Sequence, residues 1–117
     1  MGYKSTHSFE TRCAESERVS RKYLDRVPVI CEKLEGSAIT AVDKIKFLVP
    51  LDLTVGQFCF ALRRRIALTA EKGMFLFMGE AAVIPETSTS MGKLYLEKRD
   101  ADGFLYMRYS GENTFGF

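Results

Sequence analysis

Residues 44–68, "KIKFLVPLDLTVGQFCFALRRRIAL", change their apolar period halfway along. Up to Pro50 the pattern alternates. Ile45, Phe47 and Val49 fall on one face and Lys44, Lys46 and Leu48 on the other, the period of a strand with one buried side. From Val55 the spacing is helical, with Val55, Phe58 or Cys59, Leu62 and Ile66 along one stripe. Thr54 and Gln57 form a T-x-x-Q capping box where the period changes. Arg63, Arg64 and Arg65 crowd the last turns, where the helix dipole favours cations.

The flanking segments supply the remaining elements. Ser8 is placed to cap a helix running to about Tyr23, with Phe9, Cys13, Val19 and Tyr23 as its apolar residues. So thin a stripe predicts a helix on the surface of the domain, and the seven residues before it read as weakly structured. Pro28 breaks any helix, and "VPVICEK" alternates as a strand with Val27, Val29 and Cys31 on one face. Pro28 must sit where the ladder needs no donor. The turn region "LEGSAITAVD" around Gly36 then predicts an antiparallel pair with the strand that ends at Pro50. Downstream, "MFLFM" reads as a buried strand, "TSTSMGKLYLEK" as one short helix, and "FLYMRYS" as a last strand after an Asp102–Gly103 turn. In that last strand Phe104, Tyr106 and Arg108 oppose Leu105, Met107 and Tyr109. The order predicts an α+β roll: about four strands with the capped helix across the sheet.

Composition narrows the function. The 117 residues suffice for one domain with a real core, and 46% hydrophobic with 27% charged residues is ordinary for a globule. A net charge of +2 is too mild to imply nucleic acid by itself, and Arg63–Arg65 lack the interleaved aromatics of a stacking platform. No apolar run approaches the roughly 18 residues of a membrane span, and "MGYKSTHSFETR" lacks the apolar core of a secretory signal. Any membrane role is therefore expected to come from attachment or a partner. Cys13, Cys31 and Cys59 form no C-x-x-C pair and read as reduced, partly buried thiols of a cytoplasmic protein. His7 is the one histidine; with no metal-ligand cluster and no acid–cysteine arrangement, neither metal nor enzyme chemistry is expected. "MGYKST" fits a myristoylation pattern formally, but Tyr3 beside the glycine is an unfavourable neighbour.

Several longer strings, taken together, resemble a known family. "FETRCAESERVSRKYLDRVPVICEK", "FLVPLDLTVGQF", "RRRIAL", "MGKLY" and "DGFLYMRYSGENTFG" are similar to the autophagy ubiquitin-like modifiers of the GABARAP and light-chain-3 type, from about Phe9 to Gly116. The resemblance implies a ubiquitin-like β-grasp over residues 25–112, a helical extension over 1–24 and a tail over 113–117. It also gives "TFGF" a purpose. In this family a cysteine protease removes any residues beyond the terminal glycine, and ubiquitin-like activating and conjugating enzymes join that glycine to phosphatidylethanolamine. Cleavage is then expected between Gly116 and Phe117, lipidation at Gly116, and location on autophagosomal membranes after lipidation. No other cofactor is implied. An alternative of the same fold is an adaptor with an uncut tail, binding receptor peptides or microtubule-associated partners.

The family's second feature is a groove that takes receptor peptides, an aromatic residue followed three positions on by an aliphatic one, as an added strand. Carried onto this chain, the resemblance implies an aromatic pocket of Glu15, Val19, Pro28, Ile30, Lys46, Leu48 and Phe104. The aliphatic pocket would be Phe47, Val49, Pro50, Leu53, Phe58, Ala61 and Leu62. Lys46 and Leu48 would offer the backbone edge, with Arg26, Lys44 and Arg65 facing acidic residues of the peptide. On the residues alone, the reading to prefer is Lys44 and Lys46 as mere gatekeepers of an apolar edge and Phe58 as core. Val19 and Ala61 are smaller than the family's usual aliphatics, which predicts somewhat deeper pockets. Leu51 stands where a small or polar residue is usual, and its exposure would extend the apolar rim. "MGEAAVIPE" is about two residues longer than its counterpart and lies away from the groove. The segment before Phe9 has no clear match.

Overall fold

The computed structural model describes residues 2–66 and 73–111. A short helix α1 (Tyr3–Thr6) and a longer α2 (Phe9–Lys22) precede strands β1 (Arg26–Lys33) and β2 (Lys46–Pro50). Helix α3 (Val55–Ile66), strand β3 (Met74–Phe77), helix α4 (Met91–Lys98) and strand β4 (Leu105–Gly111) complete the order. The strands form one sheet in the order β2-β1-β4-β3. β1 pairs antiparallel with β2 and parallel with β4, and β3 runs antiparallel to β4.

Local chemistry sets the helix starts. The Thr54 N–H donates to Gln57 Oε1 at 2.9 Å while the Gln57 N–H donates to Thr54 Oγ1 at 3.1 Å, the reciprocal pair of a capping box. Ser8 Oγ accepts from the Thr11 N–H at 3.1 Å at the head of α2, and Ser90 caps α4 in the same way. α3 lays Val55, Phe58 and Leu62 onto the sheet, against Val27, Val29, Cys31 and Val49 of β1 and β2. β1, with strands on both sides, is buried on both faces from Val27 to Cys31. Its other face carries Ile30, which meets Tyr3 and Phe104 in a second, smaller core.

Three sequence expectations need correction. Residues 3–6 are helical rather than weakly structured. Tyr3 is 4% exposed, edge-on to Phe104 at 5.5 Å between ring centroids, and its N–H donates to Glu32. One buried aromatic outweighs the polarity of its neighbours. In α2 the small polar Ser16 is buried while Phe9 stays half exposed, because the helix is held by a polar contact as well as by its apolar stripe. Ile45 does not share the core face with Phe47 and Val49. It packs with the Tyr3, Ile30 and Phe104 group, since the chain enters β2 only at Lys46.

Candidate functional site

β2 is an edge of the sheet, and its hydrogen-bonding pattern decides what that edge offers. The Cys31 N–H donates to the Ile45 carbonyl and the Leu51 N–H to the Asp25 carbonyl, so residues 45, 47, 49 and 51 point their backbone groups at β1. Lys46, Leu48 and Pro50 turn theirs outward. Pro50 has no N–H, and its carbonyl already accepts from the Leu53 N–H at 3.2 Å. The edge open to an added strand is therefore Lys46 and Leu48. Pro28 sits opposite Leu48, at a position where β1 gives β2 no N–H, and lies before the paired stretch of β4 begins at Leu105. The Leu48 carbonyl accepts from Arg26 Nη1 at 3.2 Å, a contact that covers one acceptor of the edge.

Between this edge and α2 lies a cavity of about 420 Å³. Six of the seven residues expected in the aromatic pocket line it: Glu15, Val19, Pro28, Lys46, Leu48 and Phe104. The seventh, Ile30, is fully buried beside Phe104 and backs the wall from behind. Arg26, Lys44 and Phe47 complete the lining, together with Arg18, which the sequence reading missed. The signal for Arg18 was its place one turn along α2 from Glu15. Arg18 holds Glu15 through two contacts, 2.9 and 3.1 Å, while Lys46 Nζ reaches the same carboxylate from β2 at 3.1 Å. These contacts join α2 to β2 along the cavity wall. The hydrogen bond from Arg18, against the opposing effect of burial and with help from Lys46, holds the Glu15 carboxyl down to about 2. A second cavity of about 470 Å³, lined by Tyr3 and His7 among others, shares the same three side chains.

The residues expected in the aliphatic pocket divide into a floor and a lip. Val49, Phe58 and Leu62 belong to the main core, with Phe47 packed edge-on to Phe58 at 5.6 Å. Pro50 and Leu53 are partly buried and Ala61 is exposed; Leu51, at the end of β2, is exposed as well. Of the three cations expected beside acidic peptide residues, Arg65 is already engaged by Asp43 through two contacts, 2.8 and 3.3 Å. Lys44 lies over the Phe47 ring at 5.0 Å, and Arg26 is held at Leu48. Asp43 went unread because nothing in its loop marks it as a partner. The loop at residues 79–83 follows β3, the opposite edge from β2. Gly116 and Phe117 lie outside the described residues.

A four-stranded mixed sheet crossed by one capped helix, with helices ahead of it, is the ubiquitin-like β-grasp. The family model "Autophagy protein Atg8 ubiquitin like" matches residues 11–116. Autophagy-related protein 8 of Neosartorya fischeri is 56% identical over 114 residues, covering 97% of this chain and 95% of that one, and the Aspergillus niger protein matches equally. The crystal structure of Trypanosoma brucei ATG8 superposes with a TM-score of 0.88 at 45% identity, covering 96% of this chain and 95% of that one. The chain belongs to the Atg8 family of autophagy-related ubiquitin-like proteins.

Proposed function

We propose that this protein is a membrane-conjugated modifier of autophagy that recruits cargo receptors through the groove beside β2. It carries out no catalysis of its own: it is the protein that is processed and attached. A cysteine protease cuts after Gly116, and activating and conjugating enzymes transfer the Gly116 carboxylate to phosphatidylethanolamine of the autophagosomal membrane. Among the described residues no helix is long and apolar enough to cross a membrane. Phosphatidylethanolamine would supply two acyl chains, which anchor stably where one is marginal. Receptor peptides add a strand at Lys46 and Leu48, with an aromatic side chain in the cavity under α2 and an aliphatic one over Phe58 and Leu62.

The observation that carries the recruiting role is a strand edge with no strand beside it, next to a cavity. Lys46 and Leu48 direct their backbone groups away from the sheet, next to 420 Å³ of space walled by Val19, Pro28 and Phe104. The test is amide exchange with and without a peptide of aromatic-x-x-aliphatic sequence. The Lys46 and Leu48 amides should become protected while those of Phe47 and Val49, already paired with β1, should not change. Protection at β3 instead would place the ligand on the other edge.

A further inference from the structure

The strongest polar cluster outside the groove is the turn at residues 100–104, which leads into Phe104. At its centre is Asp102, whose side chain is 0% exposed. Its Oδ1 accepts from the Phe104 N–H at 2.8 Å, a local turn contact that fixes the backbone of Phe104. Its Oδ2 accepts from Arg12 Nη1 of α2 at 3.1 Å and from the Tyr106 hydroxyl at 2.5 Å. The Asp102 carbonyl accepts from Ser16 Oγ, also of α2, at 2.5 Å. Gly103 has φ +92°, and a Cβ there would collide with Ser16 Oγ, so α2 approaches this turn as closely as a glycine allows. The same turn ties α4 through Tyr95, whose hydroxyl donates to the Gly103 carbonyl at 2.6 Å, and α1 through the Lys4–Asp100 pair at 2.5 Å.

These contacts fall on either side of the cavity. Ser16 follows Glu15 and precedes Val19 by one turn of α2, and those two line one wall. Phe104, held by Oδ1, lines another. A buried carboxylate is a costly way to fasten a helix, since an apolar pair would serve stability as well, whereas a charge with fixed partners admits one arrangement only. We propose that Asp102 is the positioning residue of the aromatic pocket, a buried carboxylate that sets α2 at one distance from Phe104 and so fixes the pocket's width. Burial, and then its hydrogen bond to Asp102, raises the Tyr106 phenol, so this hydroxyl remains a donor at neutral pH.

The proposal rests on the receptor-groove reading above, and its test separates the two. Asp102→Asn keeps the size and the acceptor for Phe104 but turns an NH2 group toward Arg12 or Tyr106. Arg12→Gln removes the other partner from a position that is 12% exposed, where solvent can reach. In each variant α2 amides should exchange at least about tenfold faster while β1 and β4 amides keep their rates. Affinity for a peptide anchored by tryptophan should fall about tenfold, affinity for the same peptide with alanine at the anchor should hold, and the double variant should lose little more than either single one. A folded variant with unchanged α2 exchange overturns the proposal, as does an equal loss for both peptides. If the wild type binds no such peptide, the receptor reading falls, and α2 exchange alone then decides for or against the role of Asp102.

Discussion

Leu48→Ala tests ligand binding at a smaller cost to folding than Phe47→Ala. Leu48 faces away from the main core and lines the cavity, partly buried. The substitution removes roughly three methylene equivalents at about 0.8 kcal/mol each, about 2.4 kcal/mol if all were buried. Leu48 is already about two thirds or more covered in the free protein, so at most about 0.8 kcal/mol is left to be gained when a peptide closes over it, which is up to about fourfold in Kd. Folding stability should fall by more, about 1.6 kcal/mol. Phe47→Ala behaves differently, because Phe47 packs on Phe58 in the core, and its loss should cost about 3 kcal/mol or more of stability along with any effect on binding. The assay is calorimetric titration with an aromatic-x-x-aliphatic peptide, paired with urea unfolding of each variant. An unchanged Kd for Leu48→Ala alongside the expected loss of stability would show that the ligand does not touch this face.

The same geometry sets three other outcomes. The folded Glu15 carboxyl titrates at about 2 against an ordinary 4.5, so the stability it contributes is full above pH 4.5 and is lost as pH falls toward 2. A near-surface pair is worth about 1 kcal/mol at most, so the melting difference between wild type and Glu15→Gln should be small at pH 6 and vanish near pH 2; a difference that persists at pH 2 would assign the effect elsewhere. Tyr3→Ala should destabilise by about 3 kcal/mol by thermal unfolding, as the loss of a buried aromatic does, and a change within error would mean that α1 is not fastened there. Gly116→Ala should leave the melting temperature unchanged and block formation of a phosphatidylethanolamine adduct in a reconstituted conjugation reaction; an adduct of normal yield would move the attachment point.

Much of the fold was legible because local signals agreed with the tertiary solution. The Thr54–Gln57 box, the Ser8 cap, the alternation across Phe47 and Val49, and the Asp102–Gly103 turn each specified a local geometry that the packed domain keeps. Tyr3 was not legible, because its burial depends on Ile30 and Phe104, distant in sequence and brought together only by the β1–β4 pairing. For the same reason Arg12 and Ser16 looked like surface residues of a charged helix, although their partner is Asp102. In the groove, residue types marked the apolar walls. They did not show that Arg65 is spent on Asp43, that Arg26 covers Leu48, or that Arg18 shares Glu15 with Lys46. Side-chain pairings of long flexible cations leave no periodic trace in a sequence.

Whether this chain is processed for attachment to a membrane can be read from the mass of the protein. Intact mass is measured after the purified full chain is incubated with the family's processing cysteine protease. Loss of one phenylalanine residue is expected, leaving Gly116 with the free carboxylate. An unchanged mass in the presence of demonstrably active protease would contradict it and leave a β-grasp adaptor that binds its partners with the tail uncut.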